Sequence, residues 1–155
     1  MKKKQNYTVA EAQKKLEYYC AYQDRCHVEV TAKLKEIGMI PKARDKIIAD
    51  LIRANYLNET RFSKSYARGK FRIKKWGKNR IIRELKKRGI SDFNIKLGLK
   101  EISENIYQST FDDLFEKQKK ELKELSKIEQ KKKIFYYFSY RGWEHSKIYE
   151  ALAEL

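Results

Sequence analysis

The sequence predicts an all-α protein made of three tandem three-helix repeats that form an elongated, curved body. Three observations lead there. Turn-forming residues are scarce: 155 residues hold one Pro and six Gly, too little punctuation for a β architecture. Apolar residues return every three or four positions, the period of a helix with one buried face. And three glycines, Gly38, Gly89 and Gly142, stand 51 and 53 residues apart in matching apolar settings. Hydrophobic residues make up 41% and aromatic ones 13%, so a core can form although 37% of the chain is charged. Length alone suits one domain.

Residues 1–7 read as a loose N-terminal tail. The first unit, residues 8–57, opens with Thr8 and Glu11 as a capping box, each side chain satisfying the other residue's free amide. Its first helix places Leu16, Tyr19 and Cys20 on one face. The next runs from about His27 to Ile37, with Val30 and Leu34 inward, and Gly38 ends it. Pro41 suits the first turn of a third helix, where its missing N–H has no intrahelical partner anyway; Ile47, Ile48, Leu51 and Ile52 are its expected inner face.

The second unit, residues 58–102, starts at Asn58 as N-cap, with Leu57 and Phe62 placed as a hydrophobic staple. That helix runs to about Phe71 or beyond, and Gly77 marks a break. A helix over 78–88 turns Ile81, Ile82 and Leu85 inward and is closed by Gly89. Ser91 caps the next, with Ile90 and Ile95 as staple partners and Ile95, Leu99 and Ile102 inward. The third unit, residues 103–155, is less sharply punctuated. It reads as a long charged helix over roughly 105–125 with Leu114, Leu122 and Leu125, a helix from about Ser126 to Arg141, then Gly142 and a short last helix.

The repeat appears when the three glycines are aligned. Eight residues before them stand Val30, Ile81 and Ile134; four before, Leu34, Leu85 and Phe138; one after, Met39, Ile90 and Trp143. Ten after come Ile48, Leu99 and Leu152, and thirteen after, Leu51, Ile102 and Leu155. A glycine just past a helix adopts the left-handed conformation without a Cβ clash. In the Schellman arrangement the residue after it packs on the one four before it. Each unit is therefore expected to close its own small core in the same way.

Charge is unevenly distributed. The formal net charge is +16. Residues 61–100 carry 15 Lys/Arg against Glu84 and Asp92, a net of +13, whereas residues 1–60 carry +4 and residues 101–155 carry −1. A uniformly basic chain would be read as a solvated surface; a concentrated cluster draws polyanions by long-range attraction and counterion release. Arg80, Arg83 and Lys87 share one helical face. Just upstream, Lys70, Arg72, Lys74, Lys75 and Lys78 surround Phe71 and Trp76, and Arg68 and Lys86 extend the set. Cations interleaved with aromatics combine phosphate contacts with base stacking; for Trp76, stacking and plain packing under the inter-helix turn are both open.

No enzyme constellation stands out. Cys20, Cys26 and His27 match no common zinc template, His145 is remote, and Asp112, Asp113 and Glu116 read as charges favoured by a helix start. No metal, cofactor or catalytic residue is expected. The N-terminus lacks the apolar region of a secretory signal, and no apolar run approaches the ~18 residues of a membrane span. Two thiols without a second pair fit a reducing cytoplasm. Short helices joined by glycine turns also admit a helix-turn-helix reading, although helix 78–88 offers few base-reading side chains beyond Asn79.

Residues 47–90 resemble the central repeat of the RecX family, bacterial modulators of the RecA recombinase. The resemblance is carried by Leu51-Ile52 through Tyr56-Leu57-Asn58-Glu59 to Arg61-Phe62, by Tyr66-Ala67-Arg68, and by the run from Gly77 through Ile81-Ile82-Arg83-Glu84-Leu85-Lys86-Lys87-Arg88-Gly89-Ile90. It implies three tandem three-helix repeats and no enzymatic activity. It also implies a monomeric cytoplasmic regulator of DNA repair, homologous recombination and the SOS response. Such a protein lies in the groove of the RecA filament on single-stranded DNA, touches DNA phosphates, and inhibits RecA ATPase and strand exchange. The near-neutral third unit departs from that pattern in charge. The alternative is a stand-alone, transcription-factor-like helical DNA-binding protein.

Overall fold

The computed structural model describes residues 6–155. It contains nine α-helices and, among the described residues, no strand: α1 (Val9–Tyr22), α2 (His27–Glu36), α3 (Pro41–Arg53), α4 (Glu59–Lys74), α5 (Lys78–Lys87), α6 (Asp92–Leu99), α7 (Glu104–Glu121), α8 (Lys127–Tyr140) and α9 (His145–Ala153). Helices pack in consecutive groups: α1, α2 and α3 on one another, likewise α4, α5 and α6, then α8 against α7 and α9. The accessible surface is 10470 Å², about a quarter above the ~8,300 Å² of a compact globule of this mass. Most of the tail reading falls on residues 1–5, outside the described residues. Tyr7, at the end of that stretch, packs on the first core, with the Lys15 ammonium 5.3 Å from its ring centroid.

The caps form where the side chains foretell them. Thr8 and Glu11 make the reciprocal box. Asn58, Ser91, Ser103 and Ser126 each accept from the backbone N–H three residues on, and Pro41 opens α3. Gly38, Gly89 and Gly142 all have positive φ, at 83°, 70° and 86°. After each, the same bond closes the turn: Met39 N–H donates to the Leu34 carbonyl at 2.9 Å, Ile90 to Leu85 at 3.1 Å, and Trp143 to Phe138 at 3.0 Å. The three units thus share one Schellman closure, and the residues four and eight before each glycine are fully buried.

The cores do not divide into three. Ala12, Leu16, Val30, Leu34, Ile47, Leu51 and their neighbours form the first. The second and third units share one continuous core, running from Phe62 to Leu152. Aromatics weld them: Trp143 stacks on Tyr107 at 4.4 Å and lies 5.4 Å from Phe111 and 6.5 Å from Phe71.

Several expectations need correction. Ile52 is 46% exposed, because its neighbours Ile47 and Leu51 already fill the inner face. Leu57 belongs to the first core and Phe62 to the second, so they straddle the boundary instead of stapling α4. The inner stripe of α7 is Tyr107, Phe111 and Phe115, which bury more area than the leucines expected there. Asp112 and Asp113 sit mid-helix in α7, with Asp112 accepting from the Gln108 amide at 2.9 Å. And α4 ends not at a glycine but at Lys75, in the left-handed conformation at φ 57°.

Candidate nucleic-acid interface

The middle unit is positioned by a seam with the third. The α4–α5 turn lies directly on the α8–α9 turn. Gly77 N–H donates to the Arg141 carbonyl at 2.8 Å and Asn79 N–H to the Gly142 carbonyl at 3.0 Å. The two backbones touch because neither residue has a side chain: a Cβ on Gly77 would lie 2.5 Å from the Gly142 oxygen, and one on Gly142 2.3 Å from Arg80 N and Cβ. The Trp143 indole N–H donates to the Lys75 carbonyl at 3.1 Å, which helps hold Lys75 in its left-handed conformation. Tyr107 Oη accepts from Lys78 N–H at 3.0 Å and donates to the Glu144 carboxylate. Burial, with the Glu144 carboxylate, raises the Tyr107 phenol far above the usual tyrosine range.

Against this frame the predicted cations fall into two groups. Arg72, Lys74, Lys75, Arg83 and Lys86 are exposed, and no carboxylate among the described residues pairs with them. The others are engaged. Arg68 lies 3.2 Å from Glu101, Lys78 2.6 Å from Glu104, and Lys87 3.5 Å from Glu84, which also holds Arg88 at 3.2 Å. Slight burial pushes the Glu84 carboxyl up, but the Arg88 hydrogen bond and Lys87 outweigh it, so it lies below the usual carboxylate value. Lys70 stands over Tyr66 at 5.5 Å and over Trp76 at 5.1 Å.

Arg80 departs most from its expected role. Its guanidinium sits 4.3 Å from the Trp76 ring and 5.0 Å from the Tyr140 ring, and donates to the Tyr140 carbonyl at 3.2 Å. The row expected from Arg80, Arg83 and Lys87 is therefore split: Arg83 and Lys87 are exposed, while Arg80 closes the seam. Trp76 is half-buried and edge-on to Tyr66 at 6.4 Å, so part of its surface is taken up by packing.

Beside the free cations lies a groove of about 390 Å³ between the second unit and the α1–α2 turn. Phe62, Tyr66 and Ile73 give it an apolar wall, and Lys70, Lys74 and Arg88 border it. Tyr66 and Arg88 were not among the sequence-derived site residues. The signal for them was available: Arg88 falls seven residues after Ile81 on the edge of the inner stripe, and its guanidinium lies 5.0 Å from the Tyr66 ring. Burial pushes the Tyr66 phenol up, partly offset by Arg88. No group of three or more His, Cys, Asp or Glu side chains able to hold a metal ion occurs among the described residues, and no helix is long and apolar enough to cross a membrane.

These features define a tandem-repeat helical protein with a concentrated basic surface on its middle unit. A family model described as RecX, second three-helix domain, matches residues 58–99. The regulatory protein RecX of Pelodictyon phaeoclathratiforme is 30% identical over 126 residues, 80% of this chain and 76% of that protein. The chain belongs to the RecX family. The regulatory protein RecX of Enterococcus faecalis is 36% identical over 81 residues, 52% of this chain. The match spans only 30% of the Enterococcus protein and 32% of its Lactobacillus johnsonii counterpart. Among solved structures, a crystal structure of RecX from Lactobacillus salivarius superposes with a TM-score of 0.80, covering 95% of this chain and 97% of that one at 22% identity. A second RecX crystal structure gives 0.78 over 94% and 75% at 21% identity. Those two likenesses establish the fold.

Proposed function

We propose that this protein binds the RecA filament on single-stranded DNA and modulates it, chiefly by inhibiting ATPase and strand exchange. It acts as a monomeric, cytoplasmic, non-catalytic regulator of recombination and repair. The observation that carries the reading is the set of unpaired cations on α4 and α5, held on a repeat body of the RecX family. A surface of this kind recognises a polyanion through many weak contacts and needs no cofactor. Residues 8–57, 58–102 and 103–155 serve as successive contact units along the polymer, with the middle one supplying most of the positive field.

The stand-alone major-groove reading is disfavoured by the seam. A recognition helix reads bases with its N-terminal residues, and the N-terminal end of α5 is docked on the third unit through Gly77, Asn79 and Arg80.

The test is RecA ATPase on single-stranded DNA with this protein titrated in at two salt concentrations, alongside the charge-reversed variant Arg72→Glu/Arg83→Glu/Lys86→Glu. Arg80 is left intact because it holds the fold. The parent should inhibit at substoichiometric ratios. Removing three phosphate contacts should lower the salt slope on single strands by about 2 and weaken inhibition tenfold or more, with helical content preserved. A variant that inhibits like the parent sinks the assigned surface. A parent that leaves RecA untouched but protects a defined duplex sequence favours the alternative.

A further inference from the structure

The third unit is nearly neutral, and the cation argument gives it only a minor part in binding. One of its helices nevertheless carries an exposed aromatic face; α1 has another pair at the same spacing, Tyr18 and Tyr22, and the α8 face continues into the basic middle unit. On α8, Ile128, Lys132, Tyr136 and Tyr140 follow one another at four-residue intervals, so they form a single ridge. All four are exposed: Ile128 and Tyr136 at 71%, Tyr140 at 57%, and Lys132 likewise. The Tyr136 and Tyr140 rings are stacked, 6.1 Å apart with planes 22° from parallel. Lys133, one residue off the ridge, is also exposed, and no carboxylate among the described residues pairs with either lysine. A contiguous exposed ridge of this kind is a surface on which partners dock.

The ridge does not end at the unit boundary. Arg80 lies 5.0 Å from the Tyr140 ring on one side and 4.3 Å from Trp76 on the other. Trp76 in turn lies 5.1 Å from the Lys70 ammonium. A continuous ladder of flat and cationic groups thus runs from the basic middle unit across the glycine seam to Tyr136: Lys70, Trp76, Arg80, Tyr140, Tyr136. Its inner members are packed. Its outer two rings are more than half exposed, Tyr136 more than Tyr140, which Arg80 flanks.

We propose that Tyr136 and Tyr140 are a base-stacking platform for single-stranded DNA, with Lys132 and Lys133 taking the adjoining phosphates, continuous with the basic surface of the middle unit. The occupant follows from the chemistry. Open aromatic faces beside unpaired cations match unstacked bases on a phosphate chain; a duplex hides its base faces, and an acidic peptide would have no use for the rings. The platform gives the third unit a share of binding that its net charge conceals. The proposal rests on the reading above only in treating the cations of the middle unit as a polyanion-binding surface.

The test needs no RecA. Binding of the full chain to fluorescein-labelled oligothymidylate of about 15 nucleotides, a length such grooves track, is followed by polarisation. The comparison is an abasic oligonucleotide of equal length and charge. The parent should bind oligothymidylate more tightly than the abasic strand. Tyr136→Ala/Tyr140→Ala should lose roughly tenfold per ring on oligothymidylate and nothing on the abasic strand, with the salt slope unchanged. Tyr136→Phe/Tyr140→Phe should keep parental affinity, and circular dichroism should show both variants folded. A parent that does not distinguish the two strands overturns the platform. So does a double-alanine variant that matches the parent, or one that weakens on both strands equally. The charge-reversed variant separates the two ideas, because it should weaken on both strands and lower the salt slope. Failure of RecA inhibition with this pattern intact would count against the filament reading alone.

Discussion

Replacing Gly142 by alanine should cost far more than the same change at the two glycines that occupy equivalent positions in the repeat. All three have positive φ, between 70° and 86°, so each Gly→Ala change incurs the left-handed strain of a Cβ, about 1–2 kcal/mol. At Gly38 and Gly89 nothing lies within 4 Å of the added carbon, so strain is the whole effect. At Gly142 the carbon would stand 2.3 Å from Arg80 N and Cβ. The turn must then lift off α5, taking with it the Gly77 and Asn79 hydrogen bonds, each worth about 1 kcal/mol net, and loosening Trp143 and Tyr107. The expected total is about 3–5 kcal/mol. Urea unfolding followed by circular dichroism at 222 nm measures all three variants on one scale. If Gly142→Ala costs no more than Gly38→Ala, backbone contact between the α4–α5 and α8–α9 turns is not what joins the second and third units.

Other expectations are narrower. Lys75→Gly should stabilise the protein by about 1 kcal/mol, because it relieves left-handed strain at a non-glycine residue, and should show as a higher urea midpoint. Tyr107→Phe should destabilise by about 1–3 kcal/mol, since Lys78 N–H and the Glu144 carboxylate both lose a partner. Cys20 and Cys26 are buried, and burial pushes both thiols up to about 11; a thiol-disulfide reagent at neutral pH should label them only as fast as the chain opens. The Glu84 carboxyl is held below its ordinary value, so the folded state binds that proton less tightly than the unfolded one. Its stabilisation is present above the unfolded value near ~4.3 and fades as pH falls through the folded value. Glu84→Gln should flatten the stability–pH curve in that acidic window, as measured by thermal melts between about pH 3 and 6.

Much of the fold was legible because local rules and the global packing agree. The Schellman glycines, the Ser and Asn caps and the inner stripes of α2 and α5 each depend on residues within a turn of one another, so the sequence alone could place them. What it missed depends on contacts between distant segments. Lys75 takes a left-handed conformation with no glycine to announce it, because Trp143 reaches across 68 residues to its carbonyl. Gly77 is the helix break that the sequence shows and also a contact point, which it could not show, since nothing local tells a turn glycine from one that meets another backbone. Arg80 shares a helical face with Arg83, and the helical wheel could not see the Tyr140 carbonyl waiting beside it. Asn55, by contrast, also has positive φ, at 61°, and is a residue type that tolerates that conformation. The cations were legible as a cluster in sequence, whereas their division into free and paired groups was set by Glu84, Glu101 and Glu104, acids that the local charge sum could only count.

The two boundaries between units are built from different materials, and this has a mechanical consequence. The second and third units are joined by backbone contact and a shared aromatic interior. The first meets the second mainly through groups in or near water. Arg61 reaches Asp24 at 2.7 Å and His27 lies 3.7 Å from Glu59, while Cys26 is the one first-unit side chain counted in the larger core. The partly exposed Arg61–Asp24 pair weakens as salt rises. Under load the chain should therefore give way near residues 55–58 first, leaving the distal two-thirds to move as one stiff lever.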